Sequence, residues 1–239
     1  IEAALGKLKY ADLLNFETFP KLEEAVVAAS ILERQNNDEL EKGLDLPPRP
    51  CFVTFVAAPD GEGCVSGEKW PEIVGRLSQF NCVIGIGVNC TAPSIADRAV
   101  KRLMSLHAEE CPGYRLDRVS QIAIVAYPNS GEQYDGDSHS WQAVPDAKKG
   151  EEDIAALAGS WWAAAKSRSG KAAASLMEIV EEEGGKKDAS VDEPKRWALS
   201  NSMVLGGCCR STPQKITSIA AAVEIAGRGI DAALGYTSK

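Results

Sequence analysis

Residues Cys82–Val88 read CVIGIGV. The apolar side chains follow one another instead of alternating with polar ones, as in a strand buried on both faces of a parallel sheet. Four further runs have the same character: Ala11–Phe16 (ADLLNF), Cys51–Ala57 (CFVTFVA), Gln121–Ala126 (QIAIVA) and Ser202–Leu205 (SMVL). Helical patterns fall between them, over Lys21–Arg34, Lys69–Gln79, Ser94–Ala108, the alanine-rich Glu151–Glu183, and Pro213–Ala233. Pro93-Ser94 and Thr212-Pro213 supply helix-start signals, since proline suits the first helical turn.

Alternating strands and helices define an α/β fold, either an open doubly wound sheet or a closed (β/α)8 TIM barrel. Glu17, Cys90, Asn129 and the Cys208-Cys209 pair each fall at or just past the carboxyl end of a strand. Barrel enzymes collect their chemistry from several strand ends in this way, whereas an open sheet concentrates ligand contacts at one switch point. There is no Gly-x-Gly-x-x-Gly or phosphate-loop sequence. The barrel is therefore the expected architecture, as one domain over residues 1–239, with an insertion around 136–201. Within that insertion Glu181–Glu193 (EEEGGKKDASVDE) reads as an exposed, solvated loop.

Composition narrows the partners. The 239 residues carry a formal net charge of -8 and are 44% hydrophobic, which gives no electrostatic basis for binding nucleic acid or an anionic membrane surface. No apolar run nears the ~20 residues that span a bilayer. Seven cysteines in no regular spacing argue for a reducing compartment, and the cytoplasm is the expected location. Cys51, Cys64, Cys82 and Cys111 sit in apolar or loop contexts and are read as structural thiols. Small molecules are the expected partners; oligomeric state is not legible.

The unusual chemistry lies in Gly206-Gly207-Cys208-Cys209. Adjacent side chains on an extended backbone point apart, so two neighbouring thiolates share one ion only if the chain bends, and the two glycines admit such a bend through positive φ. Cys90 ends a second glycine-containing strand and would face the same mouth. Three thiolates leave a zinc ion its fourth position for substrate. Structural thiols and a redox-active vicinal disulfide are the competing readings at this stage.

Three blocks bear on that choice. Gly87-Val88-Asn89-Cys90, then Tyr127-Pro128-Asn129-Ser130-Gly131-Glu132 with Tyr134-Asp135, then Gly206-Gly207-Cys208-Cys209-Arg210-Ser211-Thr212-Pro213, in this order, resemble the homocysteine S-methyltransferase family. The similarity extends to Ala11–Thr18 and covers the chain outside the 136–201 insertion. It implies a (β/α)8 barrel in which Cys90, Cys208 and Cys209 hold Zn2+, and homocysteine whose thiol accepts a methyl group from S-methylmethionine or S-adenosylmethionine to give methionine. It also implies a carboxylate at Glu17 for the amino group of homocysteine, and a pocket lined by Asn89, Asn129, Ser130 and Glu132. An inactive zinc-binding remnant and a thiol redox protein are the alternatives.

Relative to that family only about five of the eight βα units are expected here. Ile1–Tyr10 reads as the body of a helix, and the chain corresponds to the C-terminal part of the pattern. Expressed alone, it is expected to be poorly soluble or inactive. His107 and His139 are read as surface or structural. Trp161 and Trp162 are read as packing residues, and Arg210 either orients a carboxylate or caps a surface.

Overall fold

The computed structural model describes residues 5, 7–8, 10–44, 46–118, 121–135, 137–142, 154–168 and 198–233. The expected loop Glu181–Glu193, the latter half of the alanine-rich helix and most of Ile1–Tyr10 lie outside them.

All five apolar runs form strands of one parallel sheet: β1 (Leu14–Phe19), β2 (Cys51–Phe55), β3 (Val83–Asn89), β4 (Ala123–Tyr127) and β7 (Met203–Leu205), in the order β1-β2-β3-β4-β7. Parallel neighbours cannot be joined by a tight turn, so each connection crosses over, usually through a helix. Here these are α1 (Leu22–Glu41), α2 (Trp70–Leu77) and α3 (Pro93–Ser105). The long β4-to-β7 connection contains a hairpin, β5 (Gln133–Asp135) with β6 (Ser140–Gln142), and a helix α4 over residues 154–168. After β7 comes α5 (Pro213–Ala233), where Thr212 Oγ1 accepts a hydrogen bond from Lys215 N and caps the first turn.

The helices bury one stripe each. Leu22, Ala25, Ala29 and Leu32 of α1, and Ala96, Ala99, Val100 and Leu103 of α3, recur at helical spacing in the same core. They join Cys51, Val53 and Phe55 of β2, Val83, Ile86 and Val88 of β3, and Ile124 and Ala126 of β4. Phe55 lies between Phe19 and Trp70, with ring centroids 6.1 and 6.2 Å away, and the Trp70 indole N–H donates to Gly61 O at 2.8 Å. Trp161 is buried and donates to Asp97 Oδ1, in keeping with a packing role. Gly159 on α4 lets it approach α5 closely, for a Cβ there would lie 3.2 Å from Ala222 O.

Alternate strand residues point to the other face. The strand register places Asn15, Phe52, Thr54, Gly85, Gly87, Ala123, Val125, Tyr127 and Val204 there. Gly87 is required by close approach: a Cβ would sit 1.7 Å from Val125 O.

Several boundaries differ from the sequence reading, and α1 runs on to Glu41 instead of ending at Arg34. β1 runs from Leu14 to Phe19 rather than from Ala11 to Phe16, because pairing with β2 continues to Phe19 opposite Phe55. Glu17 therefore lies within the strand, beside a register shift between Phe16 and Phe19 at which Thr18 takes a φ of 66°. α3 stops at Ser105, so His107 is not helical; it opens a short 3-10 turn over Ala108–Glu110. Among the described residues no helix is long and apolar enough to cross a membrane.

Candidate metal centre

The carboxyl ends of β3, β4 and β7 converge on three sulfurs. Cys90 Sγ lies 2.6 Å from Cys208 Sγ and 3.4 Å from Cys209 Sγ, and the vicinal pair is 3.8 Å apart. All seven cysteines are free, and these three are half-buried while the other four are buried. Among the described residues, this is the group whose ligand atoms lie close enough together to hold a metal ion.

With zinc–sulfur bonds of about 2.3 Å, tetrahedral geometry sets sulfurs about 3.8 Å apart. The Cys208–Cys209 edge has that length, and the two edges made by Cys90 are tighter. Without a cation, burial first and the two neighbouring thiols second push the Cys90 thiol up to about 12. Three soft, half-buried sulfurs gathered this closely suit a thiophilic dication.

The backbone reaches this arrangement by a different route from the one the glycines suggested. Neither Gly206 nor Gly207 has positive φ; the left-handed residues are Cys90 (φ 45°) and Arg210 (φ 63°). Gly207 is needed for space, since a Cβ would lie 2.1 Å from Ser211 Oγ.

The β7 loop is fastened to the β4 loop. Cys208 N donates to Pro128 O at 2.8 Å and Ser130 N to Cys209 O at 3.2 Å. Arg210 Nε donates to Glu132 Oε2 at 2.5 Å, and Ser130 Oγ to the same oxygen at 2.8 Å. The Arg210 guanidinium foremost, with the Ser130 hydroxyl, holds the Glu132 carboxyl below the usual carboxylate range. Asn129 Oδ1 accepts from Gly131 N, and Asn129 N donates to Thr91 O. Asn129, Ser130 and Glu132 thus stand beside the cysteines and shape the loop that carries two of them, and Arg210 is engaged by Glu132.

Asn89 and Glu17 belong to an adjoining network. Asn89 is fully buried; its Oδ1 accepts from Thr18 N and Thr54 Oγ1, both at 2.9 Å, and its Nδ2 donates to Thr18 Oγ1 at 2.7 Å. Thr54 Oγ1 meets the Tyr127 hydroxyl at 2.8 Å, and Tyr127 exchanges hydrogen bonds with the Asn15 amide. Burial foremost raises the Tyr127 hydroxyl above its ordinary pKa. Glu17 is exposed beside this network, 3.4 Å from Asn15 Nδ2.

Thr54, Thr91 and Tyr127 were absent from the sequence-based site. A lone threonine in the apolar run CFVTFVA was the available signal, because a buried hydroxyl requires a partner.

The sequence profile of the family described as homocysteine S-methyltransferase matches residues 2–223. The chain belongs to this family. It is 28% identical over 208 residues to homocysteine S-methyltransferase 1 of Brassica oleracea var. italica, covering 87% of this chain and 45% of that protein. It is 25% identical over 209 residues to selenocysteine Se-methyltransferase of the same plant, covering 87% and 42%. The oxidized form of the Escherichia coli homocysteine methyltransferase MmuM superposes with a TM-score of 0.50 at 21% identity, over 88% of this chain and 45% of that one. The chain therefore spans a little under half the length of these family members.

Proposed function

We propose that this chain carries the thiol-activating centre of a homocysteine S-methyltransferase. The observation that carries this reading is the convergence of Cys90, Cys208 and Cys209 from two strand ends onto one position. Cys90, Cys208 and Cys209 would hold zinc, whose chemistry when bound is to take the proton from a substrate thiol while leaving its sulfur nucleophilic. Membership in the family supports this assignment, and in this reading the five strands are part of a (β/α)8 barrel forming one domain.

The chain's own residues supply positioning. The exposed Glu17 carboxylate beside β2 is the partner for the ammonium group of homocysteine. Asn129, Ser130 and Glu132 wall the pocket on the β4 side, and Asn89 lines its floor by fixing the backbone around it. The homocysteine sulfur attacks the methyl carbon of S-methylmethionine or S-adenosylmethionine; the methyl–sulfonium bond breaks and its electron pair returns to the donor, which departs as a neutral thioether. That leaving group requires no proton, which accords with a centre lacking histidine. The free thiols accord with the cytoplasm, and both partners are small molecules.

A second reading, thiol redox chemistry, has one observation in its favour, the 2.6 Å approach of Cys90 Sγ to Cys208 Sγ. One set of measurements separates the two. Metal analysis after equilibrium dialysis is expected to find about one zinc per chain, lost in Cys90→Ser, with methionine formed from homocysteine and one of the two donors. Failure of the reduced chain to retain zinc, alongside formation of a Cys90–Cys208 disulfide under mild oxidation, would overturn the methyltransferase reading in favour of the redox one.

A further inference from the structure

Cys90 pays for its place in the trio with an unfavourable backbone. Its φ of 45° is a left-handed conformation that residues with a side chain rarely adopt. Such residues persist only where the surroundings over-determine them. The hydrogen bonds on either side of Cys90 do so.

On the amino side, the fully buried Asn89 amide makes three hydrogen bonds, two to Thr18 and one to Thr54. Thr18 is itself a left-handed residue at φ 66°, and β-branching makes that conformation rare. A single amide therefore clasps one strained residue and adjoins the other. On the carboxyl side Thr91 is 3% exposed. Its Oγ1 donates to Asn89 O at 2.9 Å and accepts from Ala57 N at 3.1 Å, and its carbonyl accepts from Asn129 N. The Thr91-to-Asn89 bond closes directly around Cys90.

We infer that Asn89 and Thr91 are positioning residues that bracket Cys90 and hold its thiol toward Cys208 and Cys209. Neither contributes a ligand atom; both act through the Cys90 backbone. The inference rests on the zinc reading above. The bracket ties Cys90 to β1, β2 and the β4 loop, so a lost hydroxyl lowers metal affinity by letting Cys90 relax from its left-handed conformation.

The test is competition for zinc between the chain and a chromogenic chelator, read beside the melting temperature without metal. Thr91→Val keeps shape and removes the hydroxyl; it is expected to weaken zinc binding about 10-fold or more, the scale of outer-shell substitutions. Thr91→Ser restores the hydroxyl and is expected to bind within about twofold of the unsubstituted chain, a difference small beside that loss. Thr54→Val removes one of three hydrogen bonds from Asn89 and is expected to give a smaller weakening. Ser78→Ala is the structural control, because Ser78 is buried with its hydroxyl on Gly75 O, in another part of the fold; it is expected to lower the melting temperature and leave zinc affinity unchanged.

Unchanged affinity in folded Thr91→Val, or a loss no greater than in Ser78→Ala, overturns the inference, as does weak binding by Thr91→Ser. If Thr91→Val does not fold, Thr54→Val decides by the same criterion. Unfolding of both, with Thr91→Ser intact, also counts against it, since the hydroxyls then serve the fold as a whole. Absence of zinc from the unsubstituted chain defeats the earlier reading instead, so the two failures are distinguishable.

Discussion

The two faces of the sheet differ in kind. Toward the helices it is dry and apolar: Val53, Phe55, Ile86, Val88 and Ile124 are fully buried against Leu32, Trp70, Ile73 and Val100. On the opposite face and at the strand ends, Asn15, Thr54, Asn89 and Tyr127 form a hydrogen-bonded chain leading to an exposed Glu17 and three half-buried thiols. Non-directional burial stabilises the first face, where shape matters more than chemical identity. The second depends on donor and acceptor geometry, and its left-handed residues, Cys90 and Thr18, are conformational costs carried by the rest of the fold.

The predictions press on that contrast. The largest effect is expected at the thiols: Cys208→Ser should abolish stoichiometric zinc retention, seen by metal analysis, while the far-UV circular dichroism is preserved. Preserved zinc would remove Cys208 from the centre. On the apolar side, Trp70→Ala should cost about 3–5 kcal/mol of stability in denaturant unfolding, from the lost side chain and the cavity left behind. If the faces are separable, the fraction of this variant that remains folded should bind zinc as the unsubstituted chain does.

Gly207→Ala lies where the two regions meet. Its new methyl would clash with the Ser211 side chain, so a stability loss of about 1–3 kcal/mol is expected, typical of overpacking. Weakened zinc binding should accompany it, and unchanged behaviour in both assays would show that the loop yields freely.

A smaller effect is expected from pH. Glu68 receives hydrogen bonds from Ser66 Oγ, Cys64 Sγ and the Leu22 backbone N–H at the start of α1. Partial burial is the largest influence and raises its pKa, yet the hydrogen bonds together prevail and bring it down to about 2. A carboxylate depressed from 4.5 to about 2 stabilises the fold fully above its unfolded pKa and loses that contribution as pH falls from about 4.5 toward 2. Because the side chain is only half-buried, solvent screening should keep the loss modest. Melting temperatures at pH 5 and pH 3 should differ less in Glu68→Gln than in the unsubstituted chain, and equal differences would assign no such role to Glu68.

The sequence by itself determined the five strands and the helices between them, because continuous apolar runs and helical stripes are local patterns that record burial. It also held the three cysteines, each at a strand end where parallel βα architecture gathers chemistry. β1 was misplaced by three residues because its end is set by pairing with Phe55 on another strand, which no local pattern records. The bend at the vicinal cysteines was assigned to glycine flexibility, whereas Arg210 takes the left-handed turn and Gly207 provides clearance for Ser211.

Only the tertiary structure decided that Arg210 pairs with Glu132, that Asn89 is buried with its amide engaged, and that Thr54, Thr91 and Tyr127 belong to the centre at all. Hydrogen bonds between residues far apart in the chain leave no periodicity in it. The thiols could be recognised by residue type and position, but what holds Cys90 in place became visible only when the strands lay side by side.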